Sequence, residues 1–154
     1  MKYIHSIILA VLFAGCCNCN QTQDAYSGQW SLAYTGSGCY GKCPVFKLLV
    51  FSDGKLYYEG LENTPRIGNY TATASKSEIE DIAAQLRAAD FTNMDESYDS
   101  LTTDLPFTRI IFDNSNDKKI ITYRVQAPKV LNKLTDILKH LANEDKIWIE
   151  KQDK

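Results

Sequence analysis

Histidine is scarce in this chain: His5 and His140 are the only two among 154 residues, which leaves little for a histidine-rich zinc site or a histidine-activated nucleophile. Positive charge is not in excess either. Lys and Arg number 17 against 19 Asp and Glu, a net of -2, whereas a nucleic-acid partner would call for a basic stripe facing phosphates. Apolar runs long enough to span a bilayer are missing, since Ile7 to Ala14 falls well short of the ~20 residues required. Also absent are G-x-G-x-x-G, a phosphate loop ending in Gly-Lys-Ser/Thr, the G-x-S-x-G elbow, an EF-hand loop and any internal repeat. No cofactor and no metal is therefore expected. What remains, 44% hydrophobic and 23% charged, is the composition of one ordinary globular domain.

The N-terminus reads as an address. Lys2 precedes the apolar stretch Ile7 to Ala14, and the small pair Ala14-Gly15 stands before Cys16, the layout of a secretory signal. F-A-G-C also resembles a bacterial lipobox, with Phe13 where Leu is more usual. That resemblance implies cleavage after Gly15, a lipid such as palmitate on Cys16, and a membrane partner held through the lipid anchor. Cys17 is a competing acceptor, and an ordinary secretory signal without lipid is the alternative. Without residues 1–15 the chain loses Lys2 and no acid, leaving 16 basic and 19 acidic residues, a net of -3. Residues 16–28 are polar and lack a hydrophobic period, as expected of a flexible tether, and residues 29–150 form the single domain.

With Cys16 assigned to lipid, four of the five cysteines remain, and export places them where thiols pair. Cys39 and Cys43, in G-C-Y-G-K-C-P, are separated by a stretch containing Gly41, and a tight turn there brings their Cα atoms within the ~4.4–6.8 Å that a disulfide needs. A bridge fixing local turn geometry is the expectation. A thiol-disulfide site is the sharper alternative, although C-x-x-x-C is not the thioredoxin-like C-x-x-C spacing. His140 falls late in a predicted helix, where a cation favours the negative C-terminus, and is expected at the surface.

Along the domain, Trp30, Leu32 and Tyr34 alternate with small residues as a first strand. V-F-K-L-L-V-F is apolar on both faces, which suits a central strand, and Asp53-Gly54 predicts a hairpin into L-Y-Y-E-G. A fourth strand is predicted near residues 67–73. Ser75-Lys76-Ser77-Glu78 is a capping box opening a helix with Ile79, Ile82, Ala83, Leu86 and Ala89 on one face, plugged by Phe91. A loop follows to Pro106, then two more strands around D-N-S-N-D and a helix from Pro128 with Leu131, Leu134, Leu138 and Leu141 on one face. The tail K-I-W-I-E is a candidate edge strand or a packing segment for Trp148. This order predicts an α+β fold: a two-layer sandwich, with a mainly antiparallel sheet of about six strands and two helices on one face.

Asp95, Glu96, Asp99 and Asp104 gather near the T-D-L-P turn, where turn-forming chemistry competes with acid–base work. Cys39-Tyr40-Gly41-Lys42-Cys43-Pro44-Val45-Phe46, Asp53-Gly54, Tyr58-Glu59-Gly60, Ala89-Asp90-Phe91, Tyr98, Thr103-Asp104-Leu105-Pro106 and Ala127-Pro128 together resemble a small bacterial domain family of unknown function. The resemblance implies a secreted or lipid-anchored α+β domain with no assigned activity. The leading expectation is a cell-envelope lipoprotein that binds an envelope protein or glycan without catalysis. Its functional surface would be formed by Tyr40, Gly41, Pro44, Tyr98, Thr103, Asp104 and Pro106. The alternatives are a hydrolase or carbohydrate-processing enzyme using carboxylates around Asp104, and a thiol-disulfide protein using Cys39 and Cys43.

Overall fold

Alternation of apolar and polar residues builds the sheet. A computed structural model describes residues 25–98, 105–124, 127–143 and 146–151. Its strands are β1 (Ser31–Gly36), β2 (Val45–Phe51), β3 (Lys55–Glu62), β4 (Gly68–Thr73), β5 (Ser97–Tyr98), β6 (Thr108–Asp113), β7 (Lys118–Tyr123) and β8 (Ile149–Glu150), with helices α1 (Lys76–Ala89) and α2 (Lys129–Asn143). They form one mixed α+β unit whose single sheet runs β5-β7-β6-β1-β2-β3-β4-β8. Every neighbouring pair is antiparallel except β5 with β7.

The sheet has eight strands where about six were expected. The added two, β5 and β8, are two residues each; β8 falls in the tail read as a candidate edge strand, whereas β5 is too short for any hydrophobic period to announce it. β5 interrupts the stretch expected to be loop up to Pro106, because Glu96 O accepts from Thr122 N–H and lays the chain beside β7. β8 adds to β4 through Thr71 and Tyr70, while neighbouring Trp148 packs on the core, so the tail does both things the sequence allowed.

One core cluster joins alternate residues of the sheet to both helices. Leu32 and Tyr34, Leu48 and Val50, Leu56 and Tyr58, Ile110 and Phe112, and Ile121 and Tyr123 are buried in it. Ile82 and Leu86 of α1 and the four leucines of the α2 stripe complete the cluster, with Phe91 fully buried just after α1. Each such side chain contributes roughly 1.5–3 kcal/mol by leaving water, so the cluster fixes the fold. The intervening residues, Ala33, Leu49, Tyr57, Thr71 and Ile111 among them, point away from it and remain partly exposed. Among the described residues, no helix is long and apolar enough to cross a membrane.

Local chemistry sets the element ends. Gly54 has a φ of 89°, and its N–H and carbonyl bond Phe51 and Ala74, so the Asp53-Gly54 turn also fastens the entry to α1. At that entry Glu78 N–H donates to Ser75 Oγ while Ser75 N–H donates to Glu78 Oε2, a closed capping box. Lys146 Nζ lies 2.7 Å from Glu78 Oε1, tying the C-terminal segment to the same helix end. Burial alone would raise the Glu78 carboxyl, but the hydrogen bonds from Lys146 and Ser75 outweigh it and hold the group below its usual value.

A depressed folded-state pKa contributes stability above the unfolded carboxylate value of about 4.3 and loses it as pH falls through the lower folded value. Urea midpoints measured from pH 7 down to about 2 should therefore drop less steeply for Glu78→Gln than for the natural chain, across the range from about 5 downward. Parallel curves for the two proteins would contradict this.

Candidate functional site

Register places most of the sequence-selected residues at one end of the sheet. Tyr98, Tyr123, Thr108, Gly36, Phe46, Gly60 and Gly68 pair in succession across seven strands, and the connecting loops leave just beyond that row. The loop after β1 is closed by Cys39 and Cys43, whose Sγ atoms lie 1.94 Å apart with Cα atoms 5.6 Å apart, a disulfide pair. Ser37 N–H donates to Phe107 O at 3.0 Å, and Phe107 N–H donates to Ser37 Oγ at 2.8 Å. These reciprocal bonds hold the base of the cysteine loop against the chain just after Pro106. Asn63 Nδ2 donates to Cys43 O at 3.3 Å, fastening the other side to the β3–β4 loop.

The clamped loop holds Tyr40 out in solvent at 97% exposure, with Gly41 and Pro44 also exposed beside it. Pro106 is half-buried at the same end. Tyr98 shares the register row but lies three strands from Gly36, half-buried against the core, and its hydroxyl accepts from Asp95 N–H at 3.1 Å. Cys16, Thr103 and Asp104 lie outside the described residues, so neither the lipid site nor a carboxylate pair at Asp104 has a described geometry. His140 is exposed in the last turn of α2, as its sequence position suggests.

The shifted acids and bases are structural in character. Burial pushes Tyr34 and Tyr123 up, and the Tyr123 hydroxyl is hydrogen-bonded to Thr135 on α2. Asp53 is lowered by its hydrogen bond from Lys55 across the exposed hairpin turn. Among the described residues, no three His, Cys, Asp or Glu side chains gather closely enough to hold a metal ion.

Residues 31–142, from the first residue of β1 almost to the end of α2, match a family described as a domain of unknown function, DUF6438. The chain belongs to the DUF6438 family. No curated protein is similar enough to be matched. The family span contains the whole loop-bearing end of the sheet, whereas β8 and Trp148 lie beyond it.

An arrangement that the sequence did not single out joins the DUF6438 span to Trp148 beyond it. The Arg66 guanidinium lies 5.5 Å from the Tyr58 ring centroid and 5.2 Å from that of Trp148, and it donates to Ala142 O near the C-terminal end of α2. A cation over two ring faces and at a helix C-terminus is favoured by both the ring quadrupoles and the helix dipole. Thr64 Oγ1 accepts from the Tyr58 hydroxyl at 2.9 Å and donates to Arg66 O at 2.6 Å, shaping the loop so that it crosses Gly60. T-P-R reads as a plain loop in sequence. The only available signal was Gly60, an interior strand glycine of the kind that marks a close backbone approach.

A Cβ at Gly60 would stand 1.7 Å from Arg66 O, a clash with backbone rather than with a movable side chain. Gly60→Ala should displace the Arg66 loop and cost about 2–4 kcal/mol in urea unfolding, within the range of severe core substitutions. Thr73→Ala, at an exposed strand end, is the matched control and should move stability by less than about 0.5 kcal/mol.

Proposed function

We propose that this DUF6438 protein is a lipid-anchored envelope lipoprotein whose domain acts as a non-enzymatic binding module, presenting the Cys39–Cys43 loop to another envelope component. The observation that carries the proposal is Tyr40, a large aromatic held at 97% exposure on a disulfide-closed loop. A loop whose backbone is already fixed loses little entropy when its aromatic is covered, which is how a preformed loop gives affinity. Ser37, Asn63 and Phe107 hold the loop from both sides, supporting its role as a preformed surface.

The anchoring half of the proposal is supported by the Lys2, Ile7 to Ala14 and Cys16 pattern. The expected tether ends earlier than residue 28, because Ala25 and Tyr26 pack into the domain core; residues 16–24 reach at most about 30 Å when fully extended, which keeps the domain close to its membrane. The fold is read as a two-layer α+β sandwich, supported by the single core cluster shared by both helices and alternate residues of the sheet. The Cys39–Cys43 pair also favours a second reading, thiol-disulfide exchange with a partner.

Metabolic labelling with palmitate should mark the full-length chain and be lost in Cys16→Ala; unchanged labelling would sink the anchor at that position. Crosslinking of the full-length protein in its own envelope should yield a discrete adduct that Tyr40→Ala abolishes and Lys76→Ala, on an exposed helix position, preserves. An adduct indifferent to Tyr40→Ala but lost in the Cys39→Ser, Cys43→Ser double variant would replace display by thiol exchange.

A further inference from the structure

Tyrosines of the strands part company in the fold. Tyr58 and Tyr123 are buried in the core, whereas Tyr57 stands on the sheet face turned away from it. Tyr57 lines two open grooves, of about 310 Å³ and about 630 Å³. Lys47, Leu49, Glu59, Asn69 and Lys151 line the smaller. Leu49 and Tyr57 face each other in register as its floor, with Lys47 opposite Glu59 beside them. Lys151 Nζ lies 4.7 Å from the Tyr57 ring centroid. Neither Lys47 nor Glu59 has an ion-pair partner among the described residues. In the larger groove Lys55 and Lys146 are occupied by Asp53 and Glu78.

We infer that this face is a binding site for a carboxylated glycan chain, laid across Tyr57 with its acidic sugar in the smaller groove. Sugar rings present apolar C–H faces that pack on an aromatic platform, while their hydroxyls need neighbouring donors and acceptors. Glu59 supplies an acceptor, Asn69 both kinds, and the two lysines supply donors. Two ammonium groups against one carboxylate select a ligand with negative charge of its own. The grooves are open troughs, which suits a chain better than a compact apolar ligand that needs enclosure. An acidic peptide bound by strand addition is disfavoured in the smaller groove, because β2 and β3 are already paired on both sides.

The site is separate from the Tyr40 loop, and its test leaves that loop intact. Isothermal titration of the full-length chain in detergent would use a galacturonate tetramer and a muramic-acid-containing disaccharide, each beside its carboxyl-reduced counterpart, and a poly-glutamate peptide. At least one carboxylated glycan should bind, at least about fivefold more tightly than its reduced form, an electrostatic difference that weakens with salt. Tyr57→Ala should weaken binding by about tenfold, and Lys47→Ala and Asn69→Ala should weaken it without altering the circular dichroism spectrum. Tyr40→Ala should bind as the natural chain does. Failure of both carboxylated glycans to bind, unchanged affinity in Lys47→Ala and Asn69→Ala, or equal binding of poly-glutamate would overturn the inference.

Discussion

Everything in this domain depends on the strict two-residue alternation of its central strands. Leu32, Leu48, Leu56 and Ile110 must all face the same way to meet the leucine stripe of α2 and the Ile82–Leu86 face of α1. A slip of one residue in any pairing would carry that strand's apolar set to water and bring Lys47 or Glu59 into the core. The register is therefore fixed by burial on one face, and the character of the other face follows from it. Tyr57 and Leu49 lie outward because Tyr58 and Leu48 lie inward.

The same register brings the loops together. A continuous row from Tyr98 to Gly68 brings the ends of β1, β3, β5 and β7 and the starts of β2, β4 and β6 to one edge. Segments distant in the chain thus become neighbours, and Ser37 can exchange two hydrogen bonds with Phe107, seventy positions away. Gly60 and Arg66 complete this end. The glycine lets the β3–β4 loop lie against the strand, and the arginine joins that loop to Tyr58, Trp148 and the end of α2. Arg66 Nε and Trp148 Nε1 are buried and have no hydrogen-bond partner among the described residues, where this junction is held by ring contacts and one charged bond.

The legible parts of the fold were those encoded over a few neighbouring residues. The Ser75–Glu78 box, the Asp53-Gly54 turn and the leucine stripe of α2 all act within one or two turns of chain, and each is present. The proximity of Cys39 and Cys43 belongs to the same class, because a five-residue loop has few ways to close. β5 and β8 were not legible as certain strands, since two residues carry no period and their pairing depends on where β7 and β4 already lie. Arg66 was illegible for a different reason: its partners Tyr58, Ala142 and Trp148 are scattered over the chain, and a lone arginine in a loop looks solvated.

By itself, then, the sequence determined the α+β class, a cysteine turn, two amphipathic helices and hairpins at stated places. Those features rest on local torsional preference and on period, which a linear string contains in full. Only the tertiary structure decided which tyrosine is core and which is surface, that Tyr40 stands free while Tyr98 is half-buried, and that Tyr57 keeps company with Lys47, Glu59 and Lys151. These are matters of pairing between distant segments, and the free energy that selects them comes from burying one common core, a quantity that no stretch of the chain carries alone.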